Sequence, residues 1–326
     1  MAKSTYRRKS SRKKKSTKSQ IISFILFIIV AVVVYVLSQN KDQTPPTYSI
    51  DQNEEGFYYY EAAGSEDYYF DANNLIGNAL INELRLIVNE NKELLSYEEI
   101  KDALEIVDLD LNDPSKLWGV YNGASINATW DGGATWNREH VWPNSRLGMD
   151  RVSESNRNQA TDLHNLRAST VSINSSKSDR FFSEGSGAAD ITDDGGFYPG
   201  DEHRGDVARI LFYMAITYDF LVLTDDGLLD ESNHYTMEGT KMGKLSLLLE
   251  WHKLDPVSDF EIARNNRIFA EQGNRNPFID RPAYAHLIWE GKTIGDLTKP
   301  ETETGLSSFT LYLLRRKDEL HDNLHT

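Results

Sequence analysis

Residues 137–143 read Asn-Arg-Glu-His-Val-Trp-Pro, and residues 162–166 read Asp-Leu-His-Asn-Leu. Imidazole titrates near neutrality, so His140 is suited to take a proton from a water molecule. Glu139 and Asn165 offer the oxygen ligands that hard divalent cations prefer. A base, a carboxylate and an amide are what a one-metal nuclease needs, because the cation neutralises charge that develops on the phosphate. The two stretches therefore predict a metal-assisted hydrolytic site.

The motif alone leaves a structural role open. A single histidine such as His140 is more often a structural residue than a catalytic one. Neighbouring side chains on a regular strand point to opposite faces, so Glu139 and His140 can serve one site only if the chain bends there. His164, next to Asn165, is predicted to pack or to hydrogen-bond, on a helix that Asp162 caps.

The composition bounds the class of protein. The chain has 326 residues, of which 39% are hydrophobic and 11% aromatic, enough to bury a core in one large domain or two modest ones. The lack of cysteine excludes disulfides, Cys-ligated zinc, iron–sulfur clusters and thiol nucleophiles. Nine of the 35 Lys and Arg residues fall in the first twenty positions, so the remainder, with 50 Asp and Glu, is strongly acidic. Contact with a polyanion must therefore be local.

The N-terminal segment predicts a membrane anchor. Residues 1–19 form a basic arm, and residues 20–38 contain an uncharged apolar run of about bilayer length. Positive charge before the run places the N-terminus in the cytoplasm and the later residues outside the cell. A cleaved signal peptide, which would release a secreted protein, is the alternative, although the run exceeds the usual apolar region of about 7–15 residues. We expect a flexible tether over 39–56, the globular domain over 57–298 and a charged tail over 299–326.

Hydrophobic spacing predicts several helices in the globular domain. Ser96 and Glu99 form a capping-box pattern that predicts a helix start. A long amphipathic helix is predicted over Asp206–Leu221, with its apolar face on the core. Further helices are predicted over 74–89, 242–252 and 258–270, and a short strand over 117–121.

Several ordered motifs resemble those of one known family. After the two stretches above come Asn174, Arg-Gly-Asp-Val-Ala-Arg at 204–209, Tyr-Met at 213–214 and Asn-Arg-Asn-Pro-Phe-Ile-Asp at 274–280. In that order, over roughly residues 75–290, they resemble the endonuclease I family. The resemblance implies an α+β, mainly helical fold around a ββα-metal (His-Me) finger. It also implies a nonspecific nuclease of DNA and often RNA that uses Mg²⁺, with Mn²⁺ or Ca²⁺ as substitutes.

The resemblance further implies roles for individual residues. His140 matches the family's general base, and Glu139 and Asn165 match its metal ligands. Asn174 matches a polar residue of the finger helix that orients the base or a bound water, with a helix-capping role as the alternative. Cations are also required for the phosphates, although a basic residue taken alone is more often a salt-bridge partner than a site residue. The candidates are Arg167 and Arg180 as catalytic cations, and Arg138, Lys177, Arg204 and Arg209 as phosphate-binding residues.

The leading hypothesis is a membrane-tethered, outward-facing endonuclease that acts on DNA and RNA. Two other classes stay open: a surface receptor that binds nucleic acid without cleaving it, and a metal-dependent phosphoesterase that acts on lipid headgroups. The intact Glu139, His140 and Asn165 argue against the receptor. The sequence has no His-rich zinc constellation, which argues against the lipid phosphoesterase. No protein partner is inferable from the sequence.

Overall fold

A computed structural model describes residues 50–229 and 239–300 of the chain. The predicted basic arm 1–19, the membrane segment 20–38, most of the tether 39–56 and nearly all of the tail 299–326 lie outside these residues. Within the two described ranges, no helix is both long enough and apolar enough to cross a membrane. Packing contacts begin before residue 57, because the Gln52 Nε2 donates to the Lys253 carbonyl at 3.0 Å.

Helices and short two-stranded sheets make up the described part of the chain, which confirms the mixed helix-and-strand class. The helices are α1 (Gly77–Glu90), α2 (Ile100–Val107), α3 (Val171–Lys177), α4 (Arg204–Thr217), α5 (Leu245–Leu254), α6 (Asp259–Gln272), α7 (Pro277–Asp280) and α8 (Ala283–Trp289). The strands are β1 (Lys116–Trp118), β2 (Ser125–Asn127), β3 (Trp136–His140), β4 (Leu166–Thr170), β5 (Asp190–Ile191), β6 (Phe197–Tyr198), β7 (Val222–Leu223) and β8 (Lys241–Met242).

The ββα arrangement consists of β3, β4 and α3. The two strands pair antiparallel, with Glu139 opposite Arg167 and His140 opposite Leu166. Four of the five residues of β4 are buried, so this strand lies inside the protein rather than at its surface. The helix α3 follows β4 directly and returns toward β3. The long connection 141–165 between the strands leaves from, and comes back to, the same end of the pair.

The helix α4 lies at the centre of the fold. An amphipathic helix was expected over Asp206–Leu221, but α4 begins at Arg204, ends at Thr217, and has only two exposed or half-buried residues, Arg204 and Ala215. It packs against α1 and α5. Because it is covered on nearly every side, its charged residues must find partners inside the protein.

Other predicted boundaries differ by a few residues. Ser96 and Glu99 form their capping box, with the Ser96 N–H donating to Glu99 Oε2 at 2.8 Å, but the regular helix α2 begins only at Ile100. Ser258 caps α6 as the helix start predicts. The segment expected to be a helix behind Asp162 is instead a turn that enters β4. Asp162 therefore caps no helix there, and its Oδ1 accepts from the His164 N–H at 3.0 Å.

Candidate active site

A polar cavity of about 810 Å³ lies beside the ββα arrangement. Of the ten site residues expected from the sequence, four line it: Arg138, Glu139, His140 and Asn174. The strand β3 ends at His140, and the chain bends at the next two residues, so Glu139 and His140 reach the same cavity. The bend therefore allows two adjacent strand residues, which otherwise point to opposite faces, to serve one site.

His140 is held in one tautomer by the main chain. Its Nε2 lies 2.8 Å from the Ala160 carbonyl oxygen, which can only accept, so we assign the proton to Nε2 and leave Nδ1 unprotonated. The ring stacks on Tyr97, with 5.6 Å between centroids and 27° between planes. Burial lowers the pKa of His140 to about 4, and nearby cations, Arg138 among them, reinforce this against the Ala160 hydrogen bond. The ring is therefore neutral at physiological pH, as a general base requires.

Glu139 is a nearly buried carboxylate, with 3% of its surface exposed. Its Oε1 accepts a hydrogen bond from the Tyr121 hydroxyl at 2.8 Å and lies 4.0 Å from the Lys177 Nζ. Burial raises the pKa of Glu139 to about 7, while Lys177 and Tyr121 oppose that rise. A divalent cation in the cavity would favour the ionised carboxylate.

The two asparagines expected at the site have different environments. Asn174, on α3, is half-buried, lines the cavity, and its side chain makes no hydrogen bond to any other residue the structure describes. Asn165 is fully buried, and both of its polar atoms bind the backbone of Trp142: Oδ1 accepts from the N–H at 2.7 Å and Nδ2 donates to the carbonyl at 3.0 Å. Asn165 is not among the residues lining the cavity, so this geometry does not support the expected metal-ligand role.

Two predicted phosphate cations are instead buried structural residues. Arg167 is 1% exposed, and its Nε donates to Asp108 Oδ2 at 3.2 Å. Arg209 is fully buried and forms a two-pronged ion pair with Glu261, at 2.5 and 2.7 Å. Neither lines the cavity, because each guanidinium neutralises a carboxylate inside the protein.

Three further candidates also lie outside the cavity lining. Lys177 is fully buried, so no phosphate in solvent can reach it. Arg180 donates to two main-chain carbonyls, at 3.2 and 2.9 Å. Arg204 lies at the start of α4 and pairs with Asp201 at 4.0 Å. The expectation that these three bind substrate is not supported by their positions.

Arg138 does line the cavity, but it is already paired. Its guanidinium donates twice to Glu154, at 3.0 Å each, and lies 3.7 Å from the centroid of the Tyr97 ring. Arg151, which the motifs did not indicate, also lines the cavity and is exposed. Among the described residues it has no hydrogen-bond or ion-pair partner. The sequence feature that could have pointed to Arg151 is its place in the 141–165 connection, because that connection begins and ends at the site.

The oxygen donors of the cavity fit a hard divalent cation. Glu139 supplies a carboxylate and Asn174 an amide oxygen, and in the described ranges no three His, Cys, Asp or Glu side chains come together as a metal site. Mg²⁺ is commonly held by one or two carboxylates, with water and substrate phosphate completing its shell. Zinc would need more nitrogen or sulfur ligands than this cavity offers.

Comparison with known proteins gives consistent matches. The Endonuclease I family model matches residues 77–283. The extracellular ribonuclease of Bacillus subtilis (strain 168) is 38% identical over 237 residues, which cover 69% of this chain and 79% of that protein. The extracellular ribonuclease of Bacillus amyloliquefaciens is 38% identical over 237 residues, covering 69% of this chain and 78% of that protein.

Proposed function

The chain belongs to the endonuclease I family and is a nuclease that hydrolyses phosphodiester bonds, and from this premise we propose that it is a Mg²⁺-dependent endonuclease with His140 as its general base. The observation that carries the proposal is the hydrogen bond from His140 Nε2 to the Ala160 carbonyl, beside a carboxylate and an unpaired amide in one cavity. That bond leaves Nδ1 free to accept a proton from the attacking water.

We assign the metal to Glu139 and Asn174 rather than to Glu139 and Asn165. Glu139 and Asn174 both line the cavity, whereas the side chain of Asn165 is fully used on the Trp142 backbone. A bound divalent cation neutralises charge on the phosphate and on the departing oxygen. Glu139 and Asn174 would hold that cation, and His140 would take the proton of the attacking water.

Arg151 is our candidate for the cation that grips the substrate phosphate. It is exposed at the cavity and has no partner among the described residues, so binding a phosphate breaks no existing ion pair. A guanidinium can bind two phosphate oxygens at once. Arg138 is a weaker candidate because Glu154 already occupies its guanidinium.

The substrate and the cellular location are also proposals. The two Bacillus relatives are named extracellular ribonucleases, which supports RNA as a substrate of this chain. The motif resemblance supports DNA as a second substrate, without base selectivity. We further propose that residues 20–38 anchor the chain in the membrane with the nuclease domain outside the cell; recovery of the full chain in a washed membrane fraction tests this.

The activity test uses the full chain in detergent, with supercoiled plasmid and with RNA, in Mg²⁺ or in EDTA. We expect cleavage of both substrates in Mg²⁺ only, and a loss of roughly 10²–10⁴-fold in rate for His140→Ala. Binding of nucleic acid without cleavage in any divalent metal would support the receptor instead. Hydrolysis of a phospholipid but not of nucleic acid would support the lipid phosphoesterase.

The phosphate assignment has a matched control. Arg151→Gln should lower kcat/KM by about 10–100-fold, the scale of one charged hydrogen bond. Arg157→Gln removes an arginine from the same connection, but Arg157 pairs with Glu99 at 2.7 Å and does not line the cavity. Equal losses in the two variants would contradict the assignment of Arg151.

A further inference from the structure

Tyr121 has an unusual backbone for a bulky residue. Its φ is +76°, in the left-handed region that favours glycine and asparagine. A bulky side chain is disfavoured in such a conformation, so contacts elsewhere in the fold must hold it there. Tyr121 is also 1% exposed, which excludes a solvent-facing turn as the explanation.

The ring of Tyr121 is packed against residues that do not line the cavity. The ring packs edge-on against Phe197, with 5.2 Å between centroids, and lies 6.2 Å from the Phe182 ring. The turn itself is pinned where the Gly123 N–H donates to His203 Nε2 at 3.0 Å. The phenol therefore has packing contacts of its own besides any bond that its hydroxyl makes.

The hydroxyl of this fixed phenol acts on one oxygen of the proposed metal ligand. It donates to Glu139 Oε1 at 2.8 Å, and the Lys177 Nζ lies 4.0 Å from the same oxygen. Glu139 Oε2 has no hydrogen-bond partner among the residues the structure describes, and Glu139 lines the cavity. The Tyr121 hydroxyl thus occupies Oε1 of Glu139, and Oε2 is left for a ligand.

We propose that Tyr121 is a positioning residue that acts through Glu139, holding the carboxylate in the orientation that binds a divalent cation. Glycine would suit the backbone of position 121, but it could not reach Glu139. The inference rests on the proposed metal-dependent function. It adds a residue that touches neither substrate nor cation, and that lies outside the ββα arrangement.

The variant Tyr121→Phe tests the hydroxyl alone, because it keeps the ring and its packing. The matched control is Tyr69→Phe: Tyr69 is fully buried, its hydroxyl donates to Asp280 Oδ2 at 2.7 Å, and it does not line the cavity. Both variants lose one buried hydrogen bond to a carboxylate. Calorimetry measures Mn²⁺ binding to the full chain after EDTA treatment, and thermal unfolding without metal measures stability.

We expect both variants to lower the midpoint of thermal unfolding, but only Tyr121→Phe to weaken Mn²⁺ binding, by about tenfold. Mn²⁺ binding at wild-type affinity by Tyr121→Phe, or equal weakening in Tyr69→Phe, would overturn the positioning role alone. A wild-type chain that binds no divalent cation would overturn the metal-dependent function and this inference together. The two failures are distinguished by the wild-type titration.

Discussion

The different environments of Asn165 and Asn174 lead to opposite predictions for their alanine variants. Asn165→Ala removes two hydrogen bonds to Trp142, a residue that is itself fully buried. A buried polar group left without a partner costs about 1–3 kcal/mol. Because both an N–H and a carbonyl lose their partner, we expect the free energy of unfolding to fall by roughly 2–5 kcal/mol.

Asn174→Ala should have the reverse profile. The Asn174 side chain makes no hydrogen bond to another described residue, and alanine is the better helix former. We therefore expect the free energy of unfolding to change by less than about 1 kcal/mol. Cation affinity should fall by at least about tenfold, since the variant removes one of two protein ligands.

The assay compares the two variants in the same two measurements. Urea unfolding of the metal-free protein, followed by tryptophan fluorescence, gives stability, and calorimetry with Mn²⁺ gives affinity. The reasoning is refuted if Asn165→Ala loses cation binding at unchanged stability while Asn174→Ala binds normally. That result would restore Asn165 as the metal ligand.

Three further predictions concern stability. Burial lowers the pKa of His164 to about 3, against about 6.5 in the unfolded chain. The unfolded state therefore takes up the proton first as the pH falls below about 6.5, and the folded state loses stability. By pH 5 this group alone lowers the free energy of unfolding by about 2 kcal/mol. Urea unfolding at about pH 7 and pH 5 should give a smaller difference in the free energy of unfolding for His164→Gln than for the unsubstituted chain. An equal difference in the two proteins would contradict this. Asp108→Asn should lower the free energy of unfolding in urea by roughly 3–5 kcal/mol, because Arg264 loses its carboxylate partner and Arg167 keeps only Asp206, at 3.5 Å; a loss below about 1 kcal/mol would argue against the ion cluster. Gly205→Ala places a Cβ 2.1 Å from the Asp255 carbonyl oxygen, so α4 and the end of α5 must separate. We expect the free energy of unfolding, measured by thermal unfolding, to fall by about 1–3 kcal/mol.

The part of the site that could be predicted from the sequence is the part that depends on local neighbours. Glu139 and His140 are adjacent, and the bend after β3 brings both to one cavity. Asn165 directly precedes β4 in the sequence, and Asn174 follows it in α3. Which of the two is the metal ligand depends on which one faces the cavity. Which of them faces the cavity follows from the strand β4, whereas the sequence after Asp162 predicts a helix.

The cations could not be assigned from the sequence for a different reason. A buried arginine and a phosphate-binding arginine look alike along the chain, and only the partner separates them. The partners of Arg167 and Arg209 are Asp108 and Glu261, which lie 59 and 52 positions away. Local spacing carries no information about pairs at such separations. Arg151 was missed for the converse reason, because nothing near it in the sequence marks it as unpaired.

The hydrogen bond that fixes the tautomer of His140 has a consequence for how the enzyme can change. Its acceptor is the main-chain carbonyl of Ala160, and every amino acid brings an identical carbonyl to position 160. Single substitutions there do not remove the acceptor atom, whereas replacing Arg151 by an uncharged residue removes its charge. The 141–165 connection therefore holds two contributions of different kinds: the proposed phosphate contact of Arg151 depends on its side chain, whereas the acceptor that fixes the His140 tautomer does not depend on the side chain at position 160.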